Sequence, residues 1–241
     1  MIDFGIIAAG EGNRIKEEGA CFPKPLIKIE GKPMIERLIT LMENAGAGSV
    51  SVIINSDMPE VWDFLQKLIP TTKCELKIIS KRTPSSMHSF YELINFMKPD
   101  DKFVVTTVDT IFRDNVLNDY SDFFENNSKN IDGLMGVTTY IDDEKPLYID
   151  TDDKNNILRF SDYPNTEVSA QQFISAGIYG LKQTSIPILE KCIQEGVSRM
   201  RNFQRKLVEN GLELKIYNFG KVLDIDHISD IDKANAFLCN K

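Results

Sequence analysis

The chain has 241 residues, 42% of them hydrophobic, and a formal net charge of -8. This length allows one large α/β domain or two small ones, and the composition is typical of a globular protein with a full core. The acidic charge argues against a nucleic-acid partner, which usually requires a basic face. No apolar run approaches the roughly 20 residues that span a bilayer, so we also expect no membrane partner.

The N-terminus and the cysteines bear on the cellular compartment. The first residues, MIDFGII, contain no basic region and lead directly into an apolar strand, so a signal peptide is not expected. The four cysteines are widely spaced and match no zinc or redox motif, which predicts reduced thiols. We therefore expect a cytoplasmic protein, and a homo-oligomer is compatible with the sequence.

The first 110 residues alternate between strands and helices. Strands are predicted at 4–9, 50–54, 76–79 and 103–108, with helices near 34–45, 59–69 and 87–97. The second helix is expected to bury Trp62 and Ile69 and to be capped by Ser56 or Asp57. This order predicts a parallel sheet with helices on both faces, and ligands in such sheets bind beyond the carboxyl ends of the strands.

The remaining residues are less regular. Helices are predicted at 114–126, 185–194, 200–210 and 228–238, and strands, some antiparallel, at 134–139, 147–149, 157–160, 173–180, 212–217 and 222–225. Ser229 is the expected cap of the last helix. No change in composition separates the two halves of the chain, so we expect a single domain over residues 1–241.

The most informative stretch runs from Ile6 to Leu26 and reads IIAAGEGNRIKEEGACFPKPL. It places a glycine turn with Arg14 after an apolar strand, and Lys24 between two prolines ten residues later. Such a turn exposes backbone N–H groups, and two nearby cations predict a polyphosphate site, although the glycines alone suit any strand-to-helix turn. A dinucleotide fingerprint is excluded by Ile15 at the third glycine position, and no Walker lysine follows.

The full set of motifs resembles the nucleotidyltransferases of the sugar-nucleotide pyrophosphorylase type. The N-terminal signature of that family is similar to residues 8–14, 23–26 and 31–35 in order and spacing. Residues 173–179 and 223–226 are similar to its substrate-side strand and its C-terminal metal motif. The resemblance implies a three-layer α/β/α sandwich with a Rossmann-like, mostly parallel sheet and a mixed substrate-binding half.

The resemblance also implies roles for individual residues. The nucleotide-binding half would cover about residues 1–110 and the acceptor-binding half about residues 111–241. Arg14 and Lys24 would be the catalytic cations, which neutralise charge on the α-phosphate and on the departing pyrophosphate. The implied nucleotide contacts are Ala8, Ala9, Gly10, Glu11, Gly12, Asn13, Ser85 and Ser86.

A magnesium site is implied as well. Asp109 ends a buried strand, where an acid is costly unless it is capped, paired or bound to a metal. The resemblance makes Asp109 a Mg²⁺ ligand together with Asp224 or Asp226, which alternate along a strand and therefore share one face. The alternative is that these two acids only end a strand and cap the last helix. Mg²⁺ commonly uses one or two carboxylates and shares phosphate oxygens with the substrate.

Two departures from the family pattern lie near the nucleotide. Val108 stands where the family usually has glycine, which would change how closely the substrate approaches. The segment 85–89 lacks the usual glycine and is more similar to the branch that acts on choline phosphate. Within this segment, His88 is either a ligand contact or, more typically, a partly buried helix residue. We expect His227 to cap or pack near the metal motif.

The largest departure concerns the acceptor. Many members that act on sugar phosphates carry Glu-Lys-Pro where this chain has Asp162, Tyr163 and Pro164. Tyr163 occupies the acceptor-binding position without the positive charge of a lysine. Another cation, such as Arg201, would then bind the acceptor phosphate near Gly177. Arg199 and Arg205 are the other candidates, and all three arginines are equally compatible with a solvated helix face.

The sequence therefore predicts a magnesium-dependent nucleotidyltransferase that joins a nucleoside triphosphate to a phosphorylated acceptor, such as a sugar 1-phosphate, and releases pyrophosphate. The alternatives are a cytidylyltransferase for choline phosphate or a phosphonate, a GT-A-like glycosyltransferase, and a non-catalytic nucleotide-binding relative. A glycosyltransferase would usually carry Asp-x-Asp near Asp109, and that motif is missing. No hexapeptide repeats follow the last helix, so we expect no additional acyltransferase activity.

Overall fold

The computed structural model describes residues 2–142, 144–166 and 172–239. The strands are β1 (Asp3–Ala8), β2 (Lys28–Ile29), β3 (Lys32–Pro33), β4 (Ser49–Ile54), β5 (Glu75–Ser80), β6 (Lys102–Thr107), β7 (Thr110–Ile111), β8 (Gly133–Thr138), β9 (Tyr148–Thr151), β10 (Ile157–Ser161), β11 (Phe173–Lys182), β12 (Leu214–Asn218) and β13 (Leu223–Asp224). The α-helices are α1 (Asn13–Glu17), α2 (Met34–Asn44), α3 (Pro59–Leu68), α4 (Ser86–Met97), α5 (Val116–Asn127), α6 (Ile186–Gln194), α7 (Met200–Glu209) and α8 (Ile228–Cys239).

Nine of these strands form one sheet, and its two halves differ in direction. β5, β4, β1 and β6 are adjacent in that order and parallel to one another. β11 runs antiparallel to β6 and also pairs with β8 and β9, while β12 lies parallel to β8. The predicted fold class, a mostly parallel sheet with a mixed second half, is therefore confirmed.

The sheet separates two hydrophobic cores, as the alternation of side chains along a strand requires. On β1, Phe4 and Ile6 belong to the core that includes α2 and α5, whereas Ile7 belongs to the core that includes α4 and α7. Both cores are formed by residues from the two halves of the chain. Helices therefore cover both faces, which gives the three layers that the sequence predicted. Among the described residues, no helix is long and apolar enough to cross a membrane.

The predictions for α3 need correction. Only Val61 and Leu65, one turn apart, are fully covered, while Trp62 and Ile69 are each 38% exposed. Trp62 lies beside this narrow buried stripe, and Ile69 belongs to a 3₁₀ turn after the helix has ended. The N-cap is Met58, without a side-chain cap, so neither Ser56 nor Asp57 has the predicted role.

The predicted cap of α8 is also wrong. Ser229 lies inside the helix, which begins at Ile228. A carboxylate oxygen of Asp230 accepts hydrogen bonds from the backbone N–H groups of Asp226 and His227, and Glu18 accepts one from Ile228. Carboxylates therefore satisfy the N-terminal donors of this helix and complement its dipole.

The C-terminal acidic motif reaches the parallel half of the sheet through a small two-stranded sheet. β7 follows β6 directly and pairs antiparallel with β13, with Asp224 opposite Thr110. One residue later, the Ile225 N–H donates to the Asp109 carbonyl at 3.2 Å. Residues that are more than 100 positions apart in the chain are thereby placed side by side at the carboxyl end of β6.

Tyr120 provides a test of the packing between α5 and the mixed half of the sheet. Its ring is fully buried, and its hydroxyl donates to the Leu134 carbonyl at 2.6 Å. We expect Tyr120→Phe to lower the free energy of unfolding by about 1–2 kcal/mol, because a buried carbonyl loses its hydrogen-bond donor. Denaturant unfolding measures this change.

The matched control is Tyr140→Phe, since the Tyr140 hydroxyl makes only a 3.5 Å contact with Asp142 at the surface. We expect this control to change the unfolding free energy by less than about 0.5 kcal/mol. Equal stability of the two variants would contradict the structural role of the Tyr120 hydroxyl.

Candidate active site

The glycine turn lies between β1 and the short helix α1, at the carboxyl edge of the sheet. Gly12 has φ +61°, in the left-handed region that favours glycine. A Cβ atom at Gly12 would also lie only 3.0 Å from the Cβ of Lys24. Glycine is therefore required twice here, for the backbone conformation and for the close approach of the turn to the Lys24 side chain.

Lys24 lies at the centre of the site. Its Nζ donates to Asp109 Oδ2 at 2.6 Å and to Asp226 Oδ1 at 2.8 Å, and its side chain is only 11% exposed. A 3₁₀ turn (Lys24–Leu26) with Pro23 before it and Pro25 inside it holds the backbone at this point. Lys24 is therefore a buried ion-pair residue and not a surface lysine.

Arg14 completes the network from the first turn of α1. Its Nη1 lies 2.8 Å from Asp226 Oδ2, and its side chain is half exposed. Asp226 consequently binds Arg14 through one carboxylate oxygen and Lys24 through the other. Two cations and two carboxylates, predicted separately from distant segments, thus form one cluster.

The charges in this cluster depend on one another. Burial alone would raise the pKa of Asp109, but the Lys24 ammonium and hydrogen bonds that include one to Thr107 hold that pKa below its usual value. Burial alone would likewise lower the pKa of Lys24, but Asp109 and Asp226 raise it above the usual lysine value. Both partners therefore stay ionised near neutral pH.

The cluster supplies two carboxylates that could bind a divalent cation, from Asp109 and Asp226. Across the described residues, no group of three or more His, Cys, Asp or Glu side chains is arranged to bind a metal. Two carboxylates, from Asp109 and Asp226, converge on a single cation, which is now the Lys24 ammonium. Such a pair suits Mg²⁺, which completes its coordination with water and substrate phosphate.

A cavity of about 530 Å³ lies over the glycine turn. It is lined by Arg14, Lys24, Asp109 and Asp226 and by all the residues that were predicted to contact the nucleotide. Those residues are Ala8, Ala9, Gly10, Glu11, Gly12, Asn13, Ser85 and Ser86. Val108, the first departure from the family pattern, also lines this cavity and is buried.

A second cavity of about 470 Å³ lies against β11 and α7. Gly177 and Arg201, which were predicted to contact the acceptor, line it together with Asp224, which was predicted as a metal ligand. Tyr163, the third predicted acceptor contact, lines neither of these two cavities and is 77% exposed. The two cavities share five lining residues, which are Arg14, Ser86, Thr107, Asp109 and Asp226. The charged cluster therefore lies where the two cavities meet.

Gly177 lies where the register of β11 is irregular, and its backbone there comes close to Thr107 at the end of β6. Its φ is +71°, and a Cβ atom there would lie 2.6 Å from Thr107 Oγ1 and 2.8 Å from Thr110 Oγ1. The register of β11 against β8 shifts between Ser175 and Ile178. Glycine is required at this position because any side chain would displace the two threonines that flank Asp109.

Arg201 is held in place by hydrogen-bond partners beside the second cavity. Its guanidinium donates to Asp162 Oδ1 and to the Lys145 carbonyl, both at 2.7 Å. Arg205 binds the other oxygen of Asp162 at 2.6 Å. Asp162 belongs to the segment that departs most from the family pattern, and it orients these arginines, so neither of them is simply a solvated helix charge.

Ser85 and Ser86 connect the two cavities. Their hydroxyl oxygens accept hydrogen bonds from the backbone N–H groups of Arg199 and Met200, each at 3.3 Å, at the start of α7. His88 lies in α4, and its Nδ1 is 2.8 Å from Ser85 Oγ. His88 lines neither of the two cavities, which favours its interpretation as a helix residue.

His227 lies next to the metal motif, as expected. Its Nδ1 is hydrogen-bonded to Glu18, and its Nε2 lies 3.6 Å from Glu144. This hydrogen bond to Glu18 raises the pKa of the imidazole. His227 therefore packs the end of α1 against the start of α8.

Several polar side chains in the cavities were not predicted. Thr107 lies two residues before Asp109 and could have been identified from the same strand-end rule. Lys145 and Gln204 line the second cavity, but they come from a loop and from α7, and no sequence pattern marks them. Gln204 accepts a hydrogen bond from Ser175 of β11 at 3.3 Å, and the Lys145 carbonyl accepts one from Arg201 of α7.

Residues 5–241 match the nucleotidyl transferase family. The bifunctional protein GlmU of Methanococcus maripaludis is 28% identical over 246 residues, which cover 100% of this chain but 55% of that protein. The 2-aminoethylphosphonate cytidylyltransferase of Lancefieldella rimae is 30% identical over 91 residues, 37% of each chain.

The fold is also similar to that of solved structures. The inositol-1-phosphate CTP transferase from T. maritima superimposes with a TM-score of 0.76 at 17% identity, over 99% of this chain and 98% of that one. The chain spans about half the length of the GlmU relative, so the match concerns one part of that bifunctional protein. With the family match extending over nearly the whole chain, this protein belongs to the nucleotidyl transferase family.

Proposed function

We propose that this protein is a magnesium-dependent nucleotidyltransferase that joins a nucleoside triphosphate to a small phosphorylated acceptor, such as a sugar 1-phosphate, and releases pyrophosphate. The observation that carries the proposal is the position of the cluster formed by Arg14, Lys24, Asp109 and Asp226, where two cavities meet. A reaction between two phosphates needs charge compensation at the point where the substrates touch.

The nucleotide occupies the first cavity in this proposal. Apart from Asp226, all residues that line this cavity lie between Ile7 and Asp109. This is consistent with one domain whose first half, about 1–110, binds the nucleotide. The exposed backbone of the glycine turn contacts the phosphates, and Ser85 and Ser86 contact the nucleoside. Arg14 and Lys24 neutralise the charge that develops on the α-phosphate and on the departing pyrophosphate.

The acceptor occupies the second cavity, between Gly177 and Arg201. A phosphate oxygen of the acceptor attacks the α-phosphorus in line, so no covalent enzyme intermediate is required. Arg201 supplies the positive charge that Tyr163 lacks, supported by its hydrogen bonds to Asp162 and Lys145. Tyr163, which is exposed beside Asp162, contacts an acceptor that extends beyond the cavity.

A divalent cation, when bound, would supply further neutralisation of phosphate charge. Asp109 and Asp226 would hold it, because both carboxylates already converge on one cation. Asp224 lines the neighbouring cavity together with Asp226 and is the alternative ligand. Lys24 holds the pKa of Asp109 below its usual value against the opposing effect of burial, so that carboxylate is deprotonated.

A cytidylyltransferase that acts on choline phosphate or a phosphonate is the second candidate. The partial match to a 2-aminoethylphosphonate cytidylyltransferase favours it, as does the segment 85–89.

A screen for pyrophosphate release tests both candidates, with four triphosphates against sugar 1-phosphates, choline phosphate and 2-aminoethylphosphonate. We expect one base and one acceptor class to give turnover. Transfer from a nucleotide sugar would instead indicate a glycosyltransferase, and no turnover with any pair would favour a non-catalytic relative.

Substitution of the charged cluster tests its catalytic role. We expect Asp109→Ala and Lys24→Ala each to lower the rate of pyrophosphate release by about a hundredfold or more, because each removes a preorganised charge at the reacting phosphates. The variants should remain folded by circular dichroism. Lys16→Ala is the matched control, since Lys16 is an exposed lysine of α1 that lines neither cavity of the proposed site. Full activity of Asp109→Ala would refute the metal assignment.

Substitution of Arg201 tests the acceptor site separately. We expect Arg201→Ala to raise KM for the acceptor by about tenfold or more, the scale of a lost charge-assisted hydrogen bond, with little change in KM for the triphosphate. Arg159→Ala is the control, because Arg159 is an exposed arginine that pairs with Asp150 outside both cavities. A larger change in KM for the triphosphate than for the acceptor would contradict this assignment.

A further inference from the structure

The Lys24 ammonium lies where a divalent cation would bind, which charge compensation in catalysis does not require. Its ammonium occupies the space between the two carboxylates that would bind a divalent cation, 2.6 Å from Asp109 Oδ2 and 2.8 Å from Asp226 Oδ1. Arg14 takes the remaining oxygen of Asp226 at 2.8 Å. Asp109 Oδ2 and both oxygens of Asp226 are thus already bound to protein cations.

The charge of the cluster leads to the same conclusion. Two carboxylates and two cations cancel, so the cluster carries no excess negative charge with which to attract a divalent ion. Among the described residues, no group of three or more His, Cys, Asp or Glu side chains is arranged to bind a metal, and Asp224, the alternative ligand, lines only the second of the two cavities. The protein without nucleotide is therefore a poor binder of divalent cations at this position.

The position of Lys24 is fixed by its surroundings as well as by its charge. Its side-chain stem packs against Gly12, and the side chain is only 11% exposed. Only a strong competing anion would draw the ammonium away from two carboxylates. A triphosphate in the first cavity would be such an anion, because Lys24 and Arg14 line that cavity together with the glycine turn.

We propose that Lys24 acts as an internal substitute for the divalent cation, so that Asp109 and Asp226 become available to the metal only when the phosphates of a nucleotide engage Lys24 and Arg14. This inference rests on the proposed function for the identity of the nucleotide. Metal and nucleotide would then bind cooperatively, each increasing the affinity for the other by the same factor.

Titration of the nucleotide-free protein with Mn²⁺, followed by electron paramagnetic resonance of the free ion, tests the proposal without turnover. We expect Lys24→Gln to bind one Mn²⁺ at least about tenfold more tightly than the wild type, because a positive charge between the ligands is removed. Lys16→Gln removes the same charge from the same region and should bind Mn²⁺ as the wild type does. In the double variant Lys24→Gln with Asp109→Asn, the gain should be lost.

Two results would overturn the proposal. The first is equal Mn²⁺ affinity of the wild type and Lys24→Gln, and the second is a gain in affinity that persists when Asp109 is also replaced. If Lys24→Gln does not fold, judged by circular dichroism, Lys24→Met replaces it with a neutral chain of similar length. Absence of pyrophosphate release in the substrate screen would refute the proposed function but would leave this comparison of Mn²⁺ affinities intact.

Discussion

The site depends on one buried interaction, the pairing of the Lys24 ammonium with the carboxylates of Asp109 and Asp226. Lys24 pairs with both carboxylates, so its removal would leave Asp109, the less exposed of the two, without its ion-pair partner, which costs more than losing a surface ion pair. The pairing connects the glycine-turn region, the end of β6 and the segment after β13. Gly12 and the two prolines around Lys24 serve the same purpose, because they fix where the ammonium can lie.

The second constraint is the close approach of β11 to β6 beside this cluster. Gly177 allows it, since the hydroxyls of Thr107 and Thr110 occupy the space that a side chain would need. Ser85 and Ser86 add a connection between the first cavity and the start of α7, the helix that carries Arg201. The two cavities are thus joined by these hydrogen bonds as well as by their shared lining residues.

The acceptor side shows how the chain compensates for its departures from the family pattern. The segment with Asp162 and Tyr163 has no lysine, but Asp162 binds both Arg201 and Arg205. One of these guanidiniums lines the second cavity together with Lys145. Positive charge is therefore still present beside the proposed acceptor, although it comes from a helix and a loop in place of the usual strand-end lysine.

The sequence by itself determined the strand and helix order, the glycine turn and the charged residues at strand ends, because these follow from local periodicity and from the conformational needs of glycine. It also placed Arg14, Lys24 and Asp109 in one site. It failed for Trp62 and Ser229, since burial and capping depended on distant neighbours. Only the tertiary structure decided that Asp226 is the acid that shares Lys24 with Asp109, and that Lys145 and Gln204 line the second cavity. These contacts join segments far apart in the chain, and their geometry is set by the pairing of β13 with β7 and by the packing of α7.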